Sequence, residues 1–186
     1  MASSSAAAAN LLSGCFQINP DEHHEFFIED PVLIVSHNST YYAPEEIMAV
    51  PLTRPTVVTF GSMPAVQVKT SLPRIHLELP SRVQDRVANR DLTFRKNVDL
   101  ASLHGAILFR DNTLLYKHLC DSPTVIAQKI LATRSISKPG VTLPIRRGQT
   151  VGFGAGTDAF GGLLWWYYFR VASLAKLKGK LAARRA

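Results

Sequence analysis

Cysteine is nearly absent: Cys15 and Cys120 are the only two in 186 residues, and they form no CxxC pair. That excludes a disulfide framework and leaves no zinc or thiol-redox spacing. Long apolar runs are missing too. Leu163–Phe169 is the longest, at seven residues, far short of the ~20 that a membrane-spanning helix needs. The chain also lacks a Gly-Lys-Ser/Thr loop, a Gly-x-Ser-x-Gly elbow, a His-Glu-x-x-His helix and a Cys-centred protease signature. It therefore reads as a non-enzymatic protein without a cofactor.

Charge of one sign is absent at either end. Residues 1–53 contain no Lys or Arg, and no Asp or Glu follows Asp158. The first 53 residues carry seven acids, residues 54–169 hold fifteen basic and seven acidic groups, and the last seventeen add six basic groups: Arg170, Lys176, Lys178, Lys180, Arg184 and Arg185. The net +7 is thus a gradient from an acidic first third to a strongly basic tail. A basic tail concentrates at polyanions, either nucleic acid or an anionic membrane surface, because neutralised phosphates release counterions. An acidic segment in the same chain can meet the basic face of a second copy and steer self-association.

What remains is a folding composition, 46% hydrophobic and 19% charged, at a length suited to one domain with tails. Residues 1–20 read as a neutral, Ala/Ser-rich arm. With no basic n-region they do not resemble a classical secretory signal. The sequon Asn38-Ser39-Thr40 then has no secretory context.

Residues 21–156 read as a β-rich domain. Prolines at 20, 31, 44, 51, 55, 64, 73 and 80 forbid long helices and suit short extended segments. Strands are predicted at 26–28, 32–35, 56–60, 65–68, 74–79, 92–95, 106–109, 114–118, 141–145 and 149–153. A hairpin turn is expected at Asp111-Asn112, and another around Arg146-Arg147-Gly148. Many short strands with turn signals predict a mainly β fold, an antiparallel sandwich of jelly-roll-like type.

Three helices are expected beside it. Ser81 with Gln84 makes a capping box ahead of residues 82–90. Ser122-Pro123 places a cap before proline at a first helical position, opening 123–133. Residues 157–186 read as a C-terminal amphipathic basic helix, since Leu163, Tyr167, Val171, Leu174, Leu177 and Leu181 recur at helical spacing. The glycines at 152, 154 and 156 lack the βαβ context and the following acid of a dinucleotide loop, so they read as a hinge.

Candidate binding residues follow. Arg82, Arg86 and Arg90 line one face of the expected helix and could grip phosphates; Arg146, Arg147 and the tail residues Lys176, Lys178, Lys180, Arg184 and Arg185 extend the basic set. The run Trp165-Trp166-Tyr167-Tyr168-Phe169 must be buried somewhere: in the domain's own core, at a subunit interface, or at a membrane interface. No metal is assigned. Asp21 to Glu25, with His23 and His24, reads as an exposed acidic loop, and His104, His118 and Cys120 read as strand residues without a ligand spacing.

The expectation that uses most of these features is a self-assembling coat (capsid) subunit of a small RNA virus, a homo-oligomer binding RNA, located in the virion or host cytoplasm. The alternatives are a peripheral membrane or adaptor protein anchored by its C-terminal helix, or an RNA-binding viral accessory protein of movement or silencing-suppressor type.

Overall fold

The computed structural model describes residues 28–37, 45–64, 72–86, 93–111, 113–128, 131–157, 163–175 and 178. Strands dominate them. In chain order they are β1 (Pro31–His37), β2 (Glu45–Pro51), β3 (Thr56–Gly61), β4 (Arg74–Glu78), β5 (Arg82–Arg86), β6 (Thr93–Asn97), β7 (Gly105–Arg110), β8 (Thr113–His118), β9 (Thr124–Gln128), β10 (Leu131–Ile136), β11 (Thr142–Pro144), β12 (Gln149–Thr157) and β13 (Leu163–Ser173). A six-stranded sheet runs β10-β9-β12-β13-β1-β2, a five-stranded sheet runs β11-β8-β7-β3-β4, and β5 and β6 form a separate ribbon. Every pairing is antiparallel except β3 with β4.

Period-two alternation explains how the two larger sheets pack. Leu33 and Val35 of β1, Val151 and Phe153 of β12, and Tyr167 and Phe169 of β13 share one core with Val58 and Phe60 of β3, Ile107 and Phe109 of β7, and Tyr116 of β8. Phe60 joins the layers, with its ring centroid 4.6 Å from Phe153 and 4.5 Å from Phe169. The two inward faces therefore interdigitate as a sandwich. Behind the five-stranded sheet, Val57, Ala106, Leu108 and Leu115 form a second buried cluster with Leu103 and Leu119. The central strands β3, β7 and β8 of that sheet are thus buried on both faces.

The three helix expectations meet strands instead. Residues 82–86 are β5, and 87–90, with Arg90, lie outside the described residues. Residues 123–133 hold β9 and the start of β10, with Pro123 just ahead of the strand, where its missing N–H removes no ladder bond. Residues 163–173 are β13, which sits between β12 and β1 within the six-stranded sheet. Leu174 and Ala175 take helical conformation directly after it, and 176–177 and 179–186 lie outside the described residues. The predicted strands at 26–28 and 65–68 fall mostly or wholly outside them as well.

The two expected turns separate. Asp111, at φ 49°, closes the β7–β8 hairpin as predicted. Around Arg146-Arg147-Gly148 the chain does turn, with Gly148 at φ 82° and Gln149 N–H donating to Arg146 O at 3.0 Å. Its flanking strands do not pair, because β11 joins β8 and β12 joins β9 and β13. This turn crosses between sheets.

At the end of β3 the chain approaches itself closely. A Cβ on Gly61 would lie 2.1 Å from Ser102 O, a backbone atom that accepts from Met63 N–H at 3.3 Å while the neighbouring Ala101 O accepts from Ser62 N–H at 3.0 Å. Gly61→Ala must displace that loop, so it is expected to cost 1–3 kcal/mol or more (about the overpacking range). A shift in the urea midpoint at unchanged m-value checks it.

Candidate functional site

The structure scatters part of the basic set and gathers another part. Arg82 is exposed on β5, and Arg86 ends the same strand. Arg146 and Arg147 are exposed at the turn into β12. Arg147 and Gly148 line a cleft of about 530 Å³ with Glu29, Asp30, Arg170 and Ala175. The turn thus stands beside the root of the C-terminal segment, where Lys178 is exposed. Lys176, Lys180, Arg184 and Arg185 lie outside the described residues.

Arg170 is partly engaged. Its guanidinium donates to the Glu46 carboxylate of β2, reaching across β1 on the outward face of the sheet. Both groups are about one-third exposed, so this charge-assisted contact contributes at most about 1 kcal/mol. It joins the acidic first third to the basic last third within one chain.

Burial divides the aromatic run unevenly. Trp166, Tyr167 and Phe169 are at most 1% exposed and belong to the central core, whereas Trp165 and Tyr168 are half-buried. The Trp166 indole stacks on the His37 ring at 5.8 Å. The Tyr167 hydroxyl donates to Pro80 O at 2.6 Å, and burial pushes its pKa up. Of the three burials open to the run, the domain's own core takes these three rings. Trp165 and Tyr168 keep partial access to solvent.

One polar cluster lies deep in the sandwich, at the open end of the β7–β8 hairpin. His104, Tyr116, His118 and Thr124 are each 0% exposed. His104 Nε2 meets Thr124 Oγ1 at 2.9 Å, the Tyr116 hydroxyl meets Thr124 Oγ1 at 3.1 Å, and it meets His118 Nδ1 at 2.6 Å. The remaining ring nitrogens, His104 Nδ1 and His118 Nε2, are buried without a hydrogen-bond partner among the described residues. Desolvation by burial, and for His104 also the neighbouring His118, lowers the two pKa values to about 3 and about 4, so both rings are neutral at pH 7. Half-buried Cys120 stands beside them, its thiol donating to His104 O at 3.4 Å and pushed up to about 12 chiefly by desolvation.

The sequence reading takes His104, His118 and Cys120 together and sets them aside as strand residues without a ligand spacing. A signal was there: in a hairpin turning at 111–112, Gly105 faces His118 and the next outward pair is His104 with Leu119. His118 and Cys120 therefore flank His104 by register alone. Comparison with protein-family models, curated proteins and solved structures finds no match for this chain.

Proposed function

We propose that the chain is a non-enzymatic, self-assembling structural protein that binds RNA, most concretely the coat subunit of a small RNA virus, acting in the virion or the host cytoplasm. The observation that carries the RNA-binding part is the cleft shared by Arg147, Arg170 and Ala175. It sets the exposed Arg146-Arg147 turn next to the base of a tail that adds Lys176, Lys178, Lys180, Arg184 and Arg185. Phosphates lying along that surface would be neutralised by turn and tail together.

Assembly is supported by the edge strand β2. Among the described residues it ends the six-stranded sheet, and it exposes Ile47 (44%) and Met48 (36%). An open edge with apolar side chains offers strand pairing and burial to a second copy. The strand order meanders more than the two Greek keys of a jelly roll, since β7–β8, β9–β10 and β12–β13 are each hairpins within one sheet. The reading therefore rests on edge and charge rather than topology. With Trp166, Tyr167 and Phe169 in the core, binding to anionic membrane would run on the tail.

Salt dependence tests the RNA surface. Ending the chain at Ala175 keeps β13 whole and removes five basic side chains. The slope of log K against log salt for single-stranded RNA is expected to flatten by about 3.5, and Arg146→Ala with Arg147→Ala by about 1.4 more, at ~0.7 per phosphate contact. A slope unchanged by tail removal would rule out this surface.

A further inference from the structure

Three potential metal ligands converge where the chain leaves one sheet for the other. One donor atom each from His104, His118 and Cys120 lies within 4.8 Å of the other two. His104 precedes β7, His118 ends β8, and Cys120 begins the connection to β9 in the opposite sheet. Their backbones are held in place. His104 N–H donates to Phe60 O at 2.8 Å, Leu119 N–H to His104 O at 3.1 Å, and His118 N–H to Val141 O at 2.9 Å. Side chains on such braced segments keep their geometry with or without a ligand.

The hydrogen bonding is what points to an ion. Each imidazole has one nitrogen engaged by a hydroxyl, His104 Nε2 by Thr124 and His118 Nδ1 by Tyr116, and one nitrogen buried with no partner among the described residues. Two such nitrogens in one buried cluster each forgo the hydrogen bond that water would give them. If the engaged nitrogens carry the protons and donate to the two hydroxyls, both orphans present lone pairs. That is the arrangement in which outer hydroxyls orient metal-binding imidazoles. Burial already keeps both rings neutral.

From this arrangement we infer that His104, His118 and Cys120 bind a divalent transition ion of borderline softness, Zn²⁺ being the natural fit for a two-nitrogen, one-sulfur set. Zn–N and Zn–S bonds of about 2.0–2.3 Å space tetrahedral donors roughly 3.5 Å apart, so the three draw inward by about 1 Å or less on binding. Solvent fills the fourth position, reached past half-buried Cys120. On binding, the Cys120 S–H bond breaks, its proton passes to solvent, and the thiolate forms the Zn–S bond. The imidazoles donate lone pairs, and no electron is transferred. The ion clamps the β8–β9 crossover, independent of whether the chain assembles or binds RNA.

The test uses the full chain, stripped with chelator and reloaded. One Zn²⁺ per chain should survive gel filtration and raise the melting temperature. Co²⁺ in its place should give a thiolate-to-cobalt charge-transfer band. Cys120→Ser should abolish the band and the thermal gain while the metal-free melting temperature stays near that of the metal-free wild type. Cys15→Ser, and His23→Ala with His24→Ala, should leave both intact. Tyr116→Phe, which removes the hydroxyl orienting His118, should weaken Zn²⁺ about 10–100-fold. Wild type that retains no ion, retention that survives Cys120→Ser, or a band that follows Cys15 would each overturn the site.

Discussion

Lowering the pH from 6.5 to 4.5 in the presence of chelator is expected to remove on the order of 5 kcal/mol of folding stability. The source is the buried pair His104 and His118, both fully excluded from solvent. Their folded pKa values, about 3 and about 4, lie below the unfolded value of 6.5, chiefly through desolvation by burial. Above pH 6.5 neither state binds the proton and stability is whole. Below it the unfolded chain takes up a proton at each histidine that the folded chain refuses, so stability falls by roughly 1.4 kcal/mol per pH unit per histidine. The fall levels off only near the folded values.

The groups facing the pair leave the sign unchanged. Tyr116 has its own pKa raised by burial, Cys120 is neutral across this window, and the Ser122 backbone and then Asp121 only partly offset the lowering at His118. Against a domain stability of about 5–15 kcal/mol, such a loss brings the protein close to unfolding at mild acidity. Urea midpoints at pH 7.5, 5.5 and 4.5, followed by tryptophan fluorescence, measure it. His118→Gln should roughly halve the dependence. A flat profile between pH 6.5 and 4.5 would show that the pair is solvated.

Trp166→Ala is expected to cost about 3–5 kcal/mol, the range for emptying a large buried aromatic site. The indole is 0% exposed, stacked on His37 and tucked under Gly156, where an added Cβ would come within 2.5 Å of its nitrogen. Trp165→Ala, one residue away on a half-buried position, should cost only about 1 kcal/mol. That asymmetry follows from the burial of the two rings in β13, Trp166 enclosed and Trp165 half-buried. Two neighbouring tryptophans on an interfacial helix would both be dispensable for folding and both needed for vesicle binding. Equal, small destabilisation by the two substitutions would contradict the placement of β13.

That strand also shows why the helices were misread. Leu163, Tyr167 and Val171 are four residues apart, and an even spacing returns to the same face of a strand as readily as a helix. Every second residue then decides: Tyr167, Phe169 and Val171 all pack on the core, a period of two. Seven apolar residues in a row, rich in aromatics, are equally the mark of a strand buried on both faces. The same ambiguity turned Arg82 and Arg86 into a helical stripe.

Strands with clear alternation or β-branched residues were legible, as at Val32–Val35, Thr56–Phe60 and Ala106–Phe109. So was the Asp111-Asn112 turn, because it needs a residue that tolerates positive φ, and Asp111 adopts it. Which strands pair across long separations was not legible. The β1–β13 neighbourhood joins residues more than 130 positions apart and leaves no local mark. The basic tail was plain from composition alone. The histidine–cysteine trio was visible as a group but set aside on spacing, because what joins it is hairpin register and not distance along the chain.

The central claim is that copies of this chain assemble around RNA. Size-exclusion chromatography with light scattering on the purified full chain, reading absorbance at 260 and 280 nm across the peak, tests it most directly. The account predicts a megadalton species whose 260 nm absorbance survives nuclease, and its loss when the chain ends at Ala175. A nucleic-acid-free monomer or dimer that stays so after RNA is added would contradict it.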